Sequence, residues 1–326
     1  LKCSRKPETK ALQSVPGLPA RDNERGDNMA GPRAYAFNRL PLLPLLPAVV
    51  LVFVFLVLPG LLVAVISFRP GSSFAIGNIF TGSLSLEHYQ KLFASGDFLP
   101  TLYRSIVYVV AVVGGSAIIG MATAIVLQHR FPSRGVVQLL LLLPWAVPGV
   151  VVSILFLWML NESFGVVNAI LLWTGIIDKR VGWLTDVNYA MIGVLMPTIW
   201  KTYPFIAMSL IASMKAIPAA LYEAADIDGA NQLQKFLHVT LPSIVPALTL
   251  SVIITALLSF KEFDFIYPLT GGGPVNATET LAIRIYNEAF RFFRLEDASA
   301  TGMLTTIVAA LLAGIGYNSL RKEYFR

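Results

Sequence analysis

The sequence predicts an all-α membrane protein with six transmembrane helices, and three observations predict it. Of the 326 residues, 56% are hydrophobic and only 13% charged, where a soluble domain carries about 25% charged residues. Uncharged runs reach the roughly 20 residues that a helix needs to cross the hydrocarbon core. Those runs are continuous, whereas a membrane barrel would show short alternating segments. In lipid the backbone must pair within its own segment, so helices fit and open strands do not.

Residues 1–39 are polar and carry Lys2, Arg5, Lys6, Lys10, Arg21, Arg25, Arg33 and Arg39. They read as a disordered cytoplasmic tail, without an apolar run of signal-peptide length, and Met29 is the expected start. Residues 40–326 form the transmembrane domain. Span one is 40–68, with Pro59 as a kink. Span two is 105–128. Span three is 135–160, softly broken by Pro144 and Pro148. Span four is 189–214 and contains Lys201. Span five is 239–260 and span six 298–320.

Lysine and arginine mark cytoplasmic loops. The tail, Arg130 and Arg134, Lys215 and Lys235, and Arg321, Lys322 and Arg326 outweigh the opposite loops, although the last of those, with Arg284, Arg291 and Arg294, is itself basic. Both termini are therefore expected in the cytoplasm. The net charge of +6 fits these edges better than nucleic-acid binding. The single cysteine, Cys3, excludes a disulfide framework and a Cys-based metal site. His88, His129 and His238 are too scattered in sequence to suggest a metal cluster.

The most informative stretch is residues 217–242, between spans four and five. Pro218 suits the first turn of a helix, Ala219 to Asp228 reads as helix, and Gly229 suits its end. Asn231 can cap a second short helix, with Gln234 placed as in a capping box. Leu233, Phe236 and Leu237 give that helix an apolar face. Small residues Ala224, Ala225, Gly229 and Ala230 admit a close neighbour. Glu223, Asp226 and Asp228 offer charge for a partner to read. An interfacial amphipathic hairpin with no partner is the plainer reading of the same residues.

The order Glu223-Ala224-Ala225, three residues, Gly229, nine residues, Val239, one residue, Leu241-Pro242 resembles the EAA loop of ABC importer permeases, with Val239 where isoleucine is usual. The resemblance implies the type I importer fold with a MetI-like core. It implies that this loop is a coupling helix seated in a cleft of an ATPase subunit, with Glu223 the polar contact, Gly229 the turn, and Ala224, Ala225, Asp226, Leu241 and Pro242 completing the site. The sequence has no G-x-x-x-x-G-K-[ST] phosphate loop. ATP and magnesium would be bound by partner ATPase subunits, this chain carrying no cofactor, metal or catalytic residue.

A second arrangement comprises Phe263-Asp264, Leu269-Thr270, Gly272-Gly273-Pro274, Thr278, Tyr286 and Phe290. It resembles the carbohydrate-import permeases of maltose, glycerol-phosphate and other oligosaccharide systems. His88-Tyr89 with Phe93 before span two resembles their short external helix, and Gly165 with Asn168 after span three resembles their third external turn. This resemblance covers about residue 40 to the end. It implies import of a sugar across the bacterial inner membrane, with a second and different permease, two ATPase subunits and an extracytoplasmic solute-binding protein as partners.

Charged residues inside a span face a cavity or a partner. Lys201, Tyr203, Asp264 and Tyr267 are the candidate sugar contacts, combining hydroxyl-binding groups with aromatic faces; Glu262 lies beside them. The plainer reading pairs Lys201 with an acid or lets it snorkel, and packs the aromatics between helices. Trp145, Trp158, Trp173 and Trp183 read as interface markers. A secondary transporter would show related halves and mid-span carboxylates, and neither is visible. A channel would show a selectivity filter, and a membrane enzyme clustered His, Asp or Glu. A permease for an amino acid, peptide or phosphate shares the EAA loop, so the Gly-Gly-Pro region alone favours sugar.

Overall fold

The computed structural model describes residues 42–70, 83–129 and 131–324. The expected tail, 1–39, lies outside the described residues. The chain divides into two compact units, Leu1–Val52 and Phe53–Arg326. Of the first, helix α1 (Leu42–Val52) is described. The second holds a π turn at Phe53–Val57, α2 (Leu58–Ser67), α3 (Glu87–Ala94), α4 (Phe98–Gln128), α5 (Arg134–Leu141), α6 (Leu143–Ala146) and α7 (Gly149–Met159). There follow α8 (Val166–Trp173), α9 (Ala190–Lys215), α10 (Ala219–Ile227), α11 (Gln232–Lys235), α12 (Leu241–Phe260), α13 (Ile266–Thr270), α14 (Leu281–Tyr286) and α15 (Leu295–Tyr324).

Among the described residues five helices are long and apolar enough to cross a membrane: Leu45–Ser67, Phe98–Gln128, Ala190–Lys215, Gln232–Phe260 and Leu295–Asn318. The expected third span is a sixth only if two helices bent by 94° count as one. The break is therefore sharp, not soft. Val147 is extended (ψ 136°), as a residue before proline tends to be. Pro148 stands at the head of α7 (ψ 137°) and has no N–H to continue the ladder.

Two other prolines act through π turns. Pro59 follows the turn Phe53–Val57, and Pro242 follows the turn Phe236–Thr240. A proline ring clashes with the carbonyl four residues back, here Phe55 and His238, each central to its turn. The wider π geometry absorbs the clash, so the expected kink at Pro59 is a π turn. The same device joins α11 to α12. The expected second short helix of the 217–242 loop is in fact the head of span five.

Helices α4, α9 and α12 pack together. A Cβ on Gly120 would lie 3.1 Å from Ile206 and from the Tyr203 carbonyl, so glycine there lets α4 approach α9. Polar pairs fix the register in a medium where apolar association is weak. Tyr108 Oη meets Thr198 Oγ1 at 2.8 Å, and Ser251 Oγ donates to Ser209 Oγ at 2.8 Å. Helix α3 docks through two side chains: His88 Nδ1 lies 2.6 Å from Asp297 Oδ1 on α15, and Tyr89 Oη donates to Ser67 Oγ at 2.8 Å on α2.

Beyond α7, Asn168 holds the chain together. It is fully buried, and its amide donates to the carbonyls of Glu162 and Val181. Its Oδ1 accepts from Val181 N (3.1 Å) and Trp183 Nε1 (3.0 Å). Trp183 is therefore a buried strut, not an interface marker; Trp145, Trp158 and Trp173 are exposed. Replacing Asn168 by leucine leaves Val181 N, Val181 O and Trp183 Nε1 without this partner, at about 1–3 kcal/mol for each that finds no water, while the Glu162 carbonyl keeps its bond from Arg180 (3.2 Å). The Asn168→Leu protein should unfold several degrees lower (~2–4 °C per kcal/mol) when the purified protein is followed by thermal melting; an unchanged midpoint would remove Asn168 from its central place.

Candidate functional site

The residues 217–242 fold as a closed hairpin. Pro218 is extended (ψ 133°) and heads α10. Asp228 ends that helix, and Gly229 has φ +74° with open space where a Cβ would be. The glycine is thus required by backbone conformation rather than by packing. Gly229 N donates to Asp226 O (3.1 Å) and Ala230 N to Ala225 O (2.9 Å), the pair of bonds that defines a Schellman ending. Asn231 and Gln234 form the expected capping box, at 2.8 and 2.9 Å.

Charge is divided within this hairpin. Asp226 pairs with Lys235 across the turn rather than standing free. Glu223 and Asp228 are exposed and have no ion pair among the described residues. Ile227 is 87% exposed, and Leu221 and Leu233 are exposed beside it. Of the expected apolar face, Leu233 and Leu237 are exposed and Phe236 is half-buried. The tip is therefore a mixed apolar and acidic knob.

A second polar group forms at the broken span. Lys201 Nζ donates to the carbonyls of Trp145 (3.0 Å) and Val147. These are the carbonyls freed where α6 ends, so the lysine is a backbone cap rather than one half of an acid pair. Across the break, a Cβ on Gly149 would lie 3.0 Å from Asp264 Cβ, so glycine leaves the room that Asp264 takes at the head of α7. Ser153 Oγ donates to Asp264 O at 2.6 Å. Glu262 Oε1 accepts from the N–H groups of Phe263 (3.1 Å) and Asp264 (3.0 Å).

Tyr267 belongs to an aromatic ladder beside this group. It stacks on Phe263 (4.8 Å, 16°) and meets Tyr286 edge-on (4.6 Å), and Tyr286 contacts Phe290 (5.2 Å). A hydrogen bond with Tyr267 raises the Tyr286 hydroxyl above its ordinary pKa. Tyr203 is not brought to this group. Two residues on from Lys201, it points about 200° around the helix and lines a groove of about 510 Å³ with Thr123, Val126, Val137 and Leu140. Gly149 and Ser153 were missed in sequence, because nothing in their local pattern signals a distant aspartate.

The Gly-Gly-Pro loop is held from within. Gly271 and Gly272 have φ +60° and +96°. Thr278 is fully buried; its Oγ1 meets Thr270 Oγ1 at 2.7 Å and donates to Gly273 O at 2.8 Å. Arg104 Nε donates to Glu279 O at 3.1 Å, anchoring the loop to α4. Burial raises the Glu279 carboxyl, with Arg284 and Arg104 opposing. With the turn 161–163 and residues 182–185, the loop walls a cavity of about 650 Å³ that presents Glu162, Ser163, Thr185, Thr270 and Trp183.

Known proteins share this architecture. Residues 116–322 match the family described as "Binding-protein-dependent transport system inner membrane component". The trehalose/maltose transport system permease protein MalF of Thermococcus litoralis is 32% identical over 285 residues, 86% of this chain and 94% of that protein. The sulfoquinovosyl glycerol transport system permease protein SmoG of Agrobacterium fabrum is 29% identical over 240 residues, 74% of this chain and 77% of that one. Among solved structures, a chain of a bacterial alginate ABC transporter in complex with an alginate pentasaccharide-bound periplasmic protein superposes with a TM-score of 0.72 at 25% identity, covering 86% of this chain and 93% of that chain.

The capping of the break predicts that Lys201→Met is first a stability variant. It leaves two carbonyls unpaired, at about 1–3 kcal/mol for each that finds no water. Its melting temperature should fall even without any solute present. A melting curve identical to that of the parent protein would show that the carbonyls do not depend on the lysine.

Proposed function

The chain belongs to the inner-membrane components of binding-protein-dependent transport systems, and on that premise we propose that it is the permease subunit of an ABC importer that carries a sugar or oligosaccharide. The observation that carries this reading is the closed hairpin 217–242. It presents Glu223, Ile227 and Asp228 on a rigid knob with Gly229 at its turn. Such a knob fits the cleft of an ATPase subunit, which would bind ATP and magnesium and supply the hydrolysis. Carbohydrate as the substrate class is supported by the relatives named for trehalose/maltose and sulfoquinovosyl glycerol, and by the Gly-Gly-Pro loop.

The assembly would comprise this chain, a second permease, two ATPase subunits and an extracytoplasmic solute-binding protein; the alginate transporter bound to its periplasmic protein is the supporting parallel. Both termini and the hairpin would face the cytoplasm, with the Gly-Gly-Pro loop outside. The solute would pass the group at the broken span. Asp264 offers acceptors for hydroxyls, Tyr267 a ring face, and Lys201 a donor to the extent that capping leaves one free. Tyr203 is left out of this set, because it faces the groove between α4 and α5.

Two tests follow. In a background with Cys3 replaced by serine, a cysteine at Asn276 should label from outside and one at Asn231 should not; the opposite pattern would overturn the orientation. In the complete reconstituted complex, Gly229→Val forces a β-branched residue into a left-handed turn, costing roughly 1–2 kcal/mol. About a tenfold loss of uptake is expected for it, with the protein still inserted. Asp264→Ala should lower uptake while the ATPase subunits stay bound. Wild-type uptake by both variants would sink the proposed hairpin and solute roles together.

A further inference from the structure

The polar side-chain ties of the hairpin run to one of its two flanking spans and not to the other. On the span-five side, the Lys235 side chain is only 13% exposed and reaches back to Asp226 on α10. Tyr222 Oη, also on α10, meets Thr240 Oγ1 at 2.8 Å, and Thr240 is 3% exposed in the π turn that opens span five. The Schellman ending and the capping box close the turn between these two ties. From α11 the helix then runs unbroken to Phe260. On the span-four side there is a turn, Ala216 to Pro218, closed by Ala216 N to Ser213 O (3.1 Å) and Ile217 N to Met214 O (3.3 Å), with Ile217 packed on the apolar core that holds Met214 and Ile244. Among the described residues no side-chain hydrogen bond or ion pair joins α10 to α9.

We propose that Lys235, Tyr222 and Thr240 are positioning residues that lock α10 to the head of span five, so that hairpin and span five move as one lever about the turn 216–218, which no side-chain hydrogen bond among the described residues ties to α9. This rests on the coupling role proposed above and adds the route by which a push on the knob enters the membrane. A displacement of α10 meets two polar side-chain ties and two closed caps toward α12, but toward α9 only a backbone turn and the apolar packing of Ile217. It therefore passes to span five. Asp226 acts through Lys235, inside the hairpin, rather than as a contact for the ATPase.

The test uses the complete reconstituted complex and reads three quantities: ATPase subunits retained, ATP hydrolysed, and solute taken up per ATP, with maltose and maltotriose as probes. Lys235→Asp and Asp226→Lys should each retain the ATPase and hydrolyse ATP, yet lose up to about fivefold in uptake per ATP, the upper scale of an ion pair whose acid is solvent-exposed. The combined charge swap should return uptake per ATP to within about twofold of the parent, since the two sites form one coupled pair. Tyr222→Phe should produce a smaller loss. A swap as uncoupled as its single variants would show that Asp226 works by touching the ATPase, and would overturn the lever. Single variants that couple normally, or that shed the ATPase, would overturn it as well. Glu223→Lys in the same assay separates the two ideas. Normal behaviour there would remove the coupling role itself, whereas loss there with normal Lys235 and Tyr222 variants removes only the lever.

Discussion

Backbone groups that cannot reach water must be paired, and the 94° bend between Ala146 and Gly149 unpairs them within a span. Everything at the centre of this protein follows from how that is repaired. Lys201 crosses from α9 to bond the carbonyls of Trp145 and Val147. On the far side of the break, Gly149 admits Asp264, and Ser153 bonds the Asp264 carbonyl. Segments far apart in sequence thus meet because one helix is broken. The ends of broken helices are where transporters place solute groups. Here the same polar atoms would serve both the backbone and the solute, so a lost side chain weakens stability and recognition together.

Proline placement links the membrane core to the hairpin. Pro148 breaks a span outright, because Val147 leaves the helix before it. Pro59 and Pro242 do not break theirs, because the preceding residues widen into π turns. In the hairpin this has a consequence for transmission. The Leu241-Pro242 pair follows directly on the π turn that carries Thr240, and Thr240 Oγ1 meets Tyr222 Oη. The spacing between the Glu-Ala-Ala run and Leu-Pro is therefore the spacing that lets α10 fold back onto the start of its own span.

Much of this was legible in the sequence. The spans were, because uncharged runs of about 20 residues have few alternatives. Gly229 and the Asn231 and Gln234 box were, because local backbone chemistry fixes them regardless of tertiary context. What stayed hidden depends on partners distant in sequence. Pro144 and Pro148 announce a break but not its angle, which is set by what packs on it. Lys201 and Tyr203 look like neighbours in sequence, but the helical period puts them on different faces. Asp226 looked like a third acid for a partner until Lys235 claimed it. Trp183 reads as an interface marker because its partner Asn168 gives no local signal of being buried.

The remaining rival for the hairpin is an amphipathic element lying on the lipid surface. Helices of that kind present apolar residues on one face and lysine or arginine on the other, to meet anionic headgroups. Helix α10 reads AALYEAADI and contains neither lysine nor arginine. Its nearest cation, Lys235, is already bound to Asp226. Glu223 and Asp228 stand beside Ile227, which is 87% exposed, so burying the isoleucine in lipid would carry two carboxylates toward a negative surface. A protein cleft with a cationic rim can cover the isoleucine and answer the carboxylates at once. The charge pattern of the knob therefore favours a protein partner over the bilayer, independently of any likeness to known permeases.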